Sequence, residues 1–186
     1  MPTSAQIANY SKIIYDTAVA GTSYNPGVPP PLALLMVAQA KHETGNFASN
    51  AFASGNNAFG YSYYPGSFYQ EKQPGPISDN GQALARYPSL QASTREVVDW
   101  IYRRQKEGKF PVDLSVITTP EKYAALLKGA NYYSDSVGNY SSGLARWFVD
   151  LGETIKKNPG TSAGVGLVII GGLLLLIFGK RIFAVK

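Results

Sequence analysis

The chain has 186 residues, 45% hydrophobic and 16% charged, with 12 prolines, 19 glycines and no cysteine, which fits one domain of ordinary size and excludes collagen-like, coiled-coil and wholly disordered classes. Without cysteine there is no disulfide framework, thiol nucleophile or thiolate-held metal, and the single histidine, His42, cannot build a multi-histidine site, so neither metal nor cofactor is expected. The formal net charge of +5 is partly a tail effect: residues 1–157 carry 14 basic and 12 acidic side chains, whereas Lys180, Arg181 and Lys186 follow alone, which removes the electrostatic case for nucleic acid as a partner.

Hydrophobic spacing predicts a mostly helical body. Ile7, Tyr10, Ile14 and Ala18 form a first amphipathic stripe, and Leu32, Met36, Gln39 or Ala40, and Glu43 form a second that starts after Pro29-Pro30-Pro31. Residues 50–88, rich in Gly, Asn, Tyr and Pro, show no helical period and suit loops or a small hairpin. Ser93-Thr94-Arg95-Glu96 reads as a capping box opening a third helix with Val97 and Ile101 on one face. Thr119-Pro120 opens a fourth with Tyr123 and Leu127, and Leu144, Phe148, Leu151 and Ile155 stripe a fifth. The expected class is α+β, mainly α, with a small loop or β lobe.

Beyond Lys157 no charged residue occurs for 22 positions, and residues 164–179 read GVGLVIIGGLLLLIFG. At about 1.5 Å per helical residue the uncharged run spans about 33 Å, matching a hydrocarbon core of about 30 Å. The division is therefore a body over 1–157 and a single-pass transmembrane anchor with a basic flank over 158–186, contacting lipid through residues 164–179. A buried hairpin or core helix is the competing reading. The first residues lack the basic and apolar blocks of a secretory signal peptide. Basic residues tie across the span, so orientation is not set.

Glu43 breaks the usual rule for a carboxylate because it lies on the apolar stripe of its helix, just before a C-cap at Gly45. Partial desolvation and the negative end of the helix dipole both favour the protonated acid, the state a general acid needs near neutral pH. Two other readings stand beside it: rotation to solvent at a frayed end, or pairing with Lys41. After it come Asn46, Asn50, Asn56 and Asn57 among Phe47, Phe52, Phe59, Tyr61, Tyr63, Tyr64, Phe68 and Tyr69. Amides pair with hydroxyl and acetamido groups and flat rings stack on sugar faces, so a polysaccharide groove fits, as does a local aromatic mini-core with turn asparagines.

Four ordered motifs, Ala38-Gln39-Ala40-Lys41-His42-Glu43-Thr44-Gly45, Asn56-Asn57-Ala58-Phe59-Gly60-Tyr61, Ala85-Arg86-Tyr87 and Tyr132-Tyr133-Ser134-Asp135 with Tyr140, resemble the family-73 glucosaminidases. Those are peptidoglycan hydrolases with a lysozyme-like α+β fold, found in bacterial autolysins and phage lytic proteins. The resemblance covers residues 5–155 and not the tail. It implies that Glu43 is the general acid, that Asn57, Phe59 and Gly60 shape the cleft floor, and that Tyr132 helps position substrate or stabilise the transition state. Tyr61, Tyr63 and Tyr133 join Asn57 and Phe59 as expected substrate contacts, and Arg86 and Tyr87 are expected to hold the fold.

A second carboxylate would sit about 6.5–9.5 Å away in an inverting hydrolase and about 5–5.5 Å away in a retaining one. Glu71 and Asp79 are the lobe's acids, Glu71 being preferred, and substrate-assisted attack by the acetamido oxygen would need neither. Asp135 is expected to cap a turn, and Asp99 to form a solvated charge ladder with Arg95 and Arg103. Arg103, Arg104 and Lys106 form a basic run read as a solvated helix end. His42, about 100° around the helix from Glu43, is a poor catalytic partner.

The expected function is a membrane-anchored hydrolase of the β-1,4 bond between N-acetylglucosamine and N-acetylmuramic acid, with peptidoglycan glycan strands as partner. A lytic transglycosylase on the same fold is the enzymatic alternative. A non-catalytic structural or wall-binding membrane protein is the alternative from another class. A C-terminal anchor without a leader is natural for a phage virion membrane, with the bacterial inner membrane as fallback and with virion proteins or further copies of the chain as partners.

Overall fold

The computed structural model describes residues 1–157, so the expected anchor at 158–186 lies outside the described residues. No helix among the described residues is long and apolar enough to cross a membrane. The order is α1 (Ser4–Ala20), α2 (Pro30–Thr44), α3 (Asn50–Gly55), α4 (Leu90–Lys106), a 3-10 turn (Leu114–Val116), α5 (Pro120–Gly129) and α6 (Val137–Lys157).

Helix α2 is the axis of the domain. Its sequence is apolar nearly all round, which requires burial on every side, and Leu32, Ala33, Leu35, Met36, Ala38 and Ala40 are fully buried. Helices α1 and α6 pack along it, α5 packs against α6, and α4 packs on α1. Pro30 and Pro31 start α2 where their missing N–H groups cost nothing, and Gly45 ends it in the left-handed region at φ 56, ψ 52. Thr119 caps α5 by accepting from the Lys122 amide at 3.3 Å, as the Thr-Pro pair predicted.

Helix α4 begins one turn earlier than its sequence suggests. Ser89 is the N-cap, accepting from the Ala92 amide at 3.2 Å. Ser93 and Thr94 are wholly buried inside the helix. Thr94 donates back to the Leu90 carbonyl at 2.9 Å, and Ser93 accepts from the Ala58 amide at 3.3 Å. Both hydroxyls are therefore satisfied without capping. Asp99 is also not a solvated ladder residue: it accepts from Thr22 and Asn25 at 2.7 Å and from Tyr69 at 2.6 Å. Arg104 pairs with Glu107 and lies over the Trp100 ring at 5.4 Å.

The middle segment departs from the expected loop or hairpin at its start and is otherwise loop. It opens with the short helix α3, capped by Ser49 and ended by Asn56 in the left-handed region. After it the chain makes two isolated antiparallel bridges, Ser62 with Leu84 and Ile77 with Ala83, and no strand is formed among the described residues. The segment around Leu84 is nonetheless flanked on both sides. Ala85 donates to the Tyr61 carbonyl at 2.8 Å and Tyr63 to that of Ala83 at 2.8 Å, while Gly75 donates to Leu84 at 2.7 Å and Leu84 to Pro76 at 2.9 Å. Glycine and proline on the flanks, Gly75 and Pro76, interrupt the ladder before it lengthens.

Candidate active site

Glu43 lies in the last turn of α2, two residues before the Gly45 cap. The residues after it are wound tightly: Asn46 and Phe47 also take positive φ, 63 and 65, a conformation costing roughly 1–2 kcal/mol for a side-chain-bearing residue. Thr44 holds the turn by donating to the Ala40 carbonyl at 2.6 Å and accepting from the Phe47 amide at 2.7 Å. Phe47 is thereby driven into the core, where its ring meets Tyr10 and Phe52. The Thr44 hydrogen bonds and the buried Phe47 ring offset that strain and keep Glu43 at a fixed helix end rather than a frayed one. Lys41 is buried, with its ammonium over the Trp147 ring at 5.0 Å.

Two groups from distant chain segments define the surroundings of the carboxylate. The Tyr140 phenol of α6 donates to Glu43 Oε1 at 2.5 Å. On the other oxygen, a Cβ at Gly60 would lie 3.4 Å from Oε2, and Gly60 is exposed with φ 67. Oε1 is therefore occupied inside the fold, and Oε2 borders backbone open to solvent. Burial pushes the Glu43 carboxyl above its ordinary value, with the Tyr140 hydrogen bond pulling the other way. Burial, reinforced by the Glu43 charge, pushes the Tyr140 phenol up, so it stays a proton-bearing donor.

Tyr140 is clamped. Its ring stacks on Tyr133 with centroids 3.9 Å apart and planes 10° from parallel, and His42 meets it edge-on at 5.0 Å and 88°. Tyr133 is held by donating to the Ala124 carbonyl at 2.9 Å. Behind Glu43, Tyr123 donates to Gln39 at 2.6 Å in the core. Burial pushes the His42 imidazole below its ordinary value, against an opposing pull from Asp135. Asp135 brackets the turn before α6, accepting from the Ser136 amide at 2.6 Å, as expected.

The loop carrying Gly60 is pinned from beneath. Asn57 is buried and spans it, donating to the carbonyls of Tyr61 at 2.8 Å and Ala85 at 3.1 Å and accepting from the Tyr61 amide at 3.1 Å. Tyr132 donates to the Phe59 carbonyl, and its ring packs edge-on against Tyr61 at 5.9 Å and Trp100 at 5.6 Å. The Phe59 ring is in the core at 1% exposure, so any contribution to the cleft comes through its backbone. Asn57, Phe59, Tyr61 and Tyr132 thus form the support of the floor, and Tyr133 supports Tyr140. Tyr63 donates to the Lys72 carbonyl within the lobe.

Glu71 sits on the lobe in an ion pair with Arg86 at 3.2 Å, both side chains about two-fifths exposed, and its amide donates to the Arg86 carbonyl at 2.8 Å. Asp79 is exposed in the turn before Gly81. Among the described residues no group of three histidine, cysteine or acidic side chains is placed to hold a metal ion. The residue missing from the sequence-based site is Tyr140: its place one turn before Leu144 on the apolar stripe of α6 signals burial, but its pairing with Glu43, 97 residues away, is set by the packing of α6 on α2.

Gly143 supplies a separate check on the clamp. A Cβ there would fall 2.3 Å from His42 Cε1 and 2.6 Å from Nδ1, so Gly143→Ala must displace the imidazole that braces Tyr140. The expected result is a loss of about 1–3 kcal/mol in stability, read from the denaturant midpoint, together with lower turnover; an unchanged midpoint would place the ring elsewhere.

Similarities to known proteins agree with this geometry. The fold is similar to the catalytic domain of the autolysin Auto from Listeria monocytogenes, with a TM-score of 0.51 and 23% identity over 81% of this chain and 85% of that one. A search of curated proteins gave no match. The glucosaminidase family, described as mannosyl-glycoprotein endo-beta-N-acetylglucosaminidase, matches residues 27–153, which include Glu43, Gly60, Tyr132 and Tyr140. The chain belongs to the glucosaminidase family and is a glycoside hydrolase.

Proposed function

We propose that the protein cleaves the β-1,4 bond between N-acetylglucosamine and N-acetylmuramic acid in peptidoglycan, with Glu43 as general acid. The observation that carries this reading is the unequal environment of the two Glu43 oxygens. Tyr140 occupies Oε1, so the acid proton resides on Oε2, beside the side-chain-free, exposed Gly60. A glycosidic oxygen approaching over Gly60 takes that proton as its bond to C1 breaks, and Tyr140 then stabilises the carboxylate left behind. The oxocarbenium-like C1 is trapped by water, which loses a proton to a carboxylate, or by the substrate's own acetamido oxygen. Glu71, on the lobe that begins at Gly60, is the proposed carboxylate for the first route. Peptidoglycan as substrate draws on the four sequence motifs and on the fold shared with an autolysin catalytic domain.

A lytic transglycosylase, which needs no second carboxylate, is the second reading, favoured by one observation: Glu71 is already paired with Arg86. Mass spectrometry of muropeptides released by the full-length chain separates the two. Reducing ends with one added water are expected, and 1,6-anhydro ends would overturn hydrolysis. The uncharged run before Lys180 supports attachment to a membrane. Recovery of the chain in the aqueous phase after detergent phase separation would remove that part of the reading.

A further inference from the structure

Two features of the fold are unused by the site at Glu43: a pair of carboxylates on α4 and a pair of exposed rings tied to them. Asp99 accepts from Thr22 and Asn25 at 2.7 Å and from Tyr69 at 2.6 Å. Glu96, three residues earlier on α4, accepts from Ser67 and Gln70 at 3.1 Å. One helix face therefore fastens both the turn after α1 and the lobe segment 67–70. Each fastened segment presents one ring to water, Tyr24 at 67% and Phe68 at 78% exposure. The rings meet edge-on, centroids 6.0 Å apart and planes at 84°.

The arrangement is not explained by folding. Keeping apolar ring surface in water is unfavourable in proportion to its area, and neither ring enters the core. Their supports are nevertheless specific. Thr22 accepts from the Tyr24 amide at 3.1 Å, and Ser67 from the Tyr69 amide at 3.2 Å, so both backbones are set before any ligand arrives. Preorganised aromatic faces with hydroxyl and amide side chains around them match a pyranose ring, which is apolar on its C–H face and polar at its edge. An endo-acting glycosidase cuts inside a polymer, so its substrate continues past the broken bond. Phe68 is eight residues from Gly60, at most about 28 Å along an extended chain, within reach of a strand held at Glu43.

We infer that Tyr24 and Phe68 form a distal subsite that stacks a sugar ring of the glycan strand away from the cleaved bond. This rests on the proposal that the substrate is a peptidoglycan glycan strand. The subsite acts on long substrates and not on short ones, because only a long strand spans both places.

The test uses the full-length chain in detergent and soluble peptidoglycan glycan strands of graded length. Tyr24→Ala/Phe68→Ala is expected to raise KM on long strands about tenfold, with kcat, melting temperature and turnover of the shortest cleavable strand unchanged. An unchanged KM on long strands, or an equal loss on short and long ones, overturns the subsite. So does a variant that keeps strand affinity but loses self-association or binding to lipid vesicles, which would assign the rings to a second copy or to a membrane. Strand binding by Glu43→Gln, with and without the two ring substitutions, is measured alongside. If the wild-type chain cleaves no strand but that binding still depends on the rings, the hydrolase reading fails and the subsite stands.

Discussion

Glu43→Gln is expected to lower the release of muropeptides by about 10²–10⁴-fold, the usual contribution of a positioned general acid, while leaving a folded protein. Glutamine preserves the shape and the Oε1 acceptor for Tyr140, and it carries no transferable proton at the position of Oε2. Unchanged cell-wall turbidity loss would remove Glu43 from the mechanism. The same substitution has a second readout. Burial raises the folded-state pKa of Glu43 above its ordinary value, the hydrogen bond from Tyr140 opposing it. The folded state then binds the proton more tightly than the unfolded state. The corresponding stability is fully present below the unfolded pKa and is lost as pH rises through the folded value. Glutamine has no such loss. Relative to wild type, the variant should therefore gain melting temperature as pH rises from the ordinary carboxylate range through the raised folded-state value; a difference independent of pH would mean that Glu43 is not desolvated.

How much of this was legible beforehand depended on sequence distance. Glu43 stood out because a carboxylate on an apolar stripe violates the helical period, a signal carried within one helix. Its partner did not stand out, because Tyr140 lies 97 residues away and only the packing of α6 on α2 joins them. Asp99 was misread for the related reason that Arg95 and Arg103 are its neighbours in sequence, whereas its donors, Thr22, Asn25 and Tyr69, come from two loops. The Ser93–Glu96 pattern misled because a Ser or Thr followed by Glu satisfies the capping signature wherever it falls. Burial of both hydroxyls in the helix interior decided otherwise. In the lobe, α3 has six residues, too few to display a period, and its signals were the caps Ser49 and Asn56. The pattern of aromatics and amides was real but served the interior more than expected: Asn57 and Phe59 face inward, and Tyr132 spends its phenol on a backbone carbonyl.

Tyr140→Phe should separate positioning of the acid from simple support of the fold. Phenylalanine keeps the ring between Tyr133 and His42, and it removes the donor to Glu43 Oε1. Leaving that buried acceptor unpaired costs about 1–3 kcal/mol, so the melting temperature falls. A purely structural tyrosine would produce that fall and nothing more. A positioning residue produces two further effects whose signs are fixed by the geometry. The hydrogen bond favours the charged carboxylate, so its removal raises the Glu43 pKa, and the alkaline limb of kcat/KM, where the free enzyme loses its acid proton, moves to higher pH. At the same time the carboxyl group is free to rotate and place its proton on either oxygen, and the carboxylate developing on Glu43 loses its donor in the transition state. Maximal kcat should therefore fall about tenfold or more, even though the acid stays protonated over a wider range. Lower activity with a broader alkaline shoulder is a combination that loss of stability cannot mimic. A limb that stays in place, or moves to lower pH, would show that Tyr140 does not govern the protonation of Glu43.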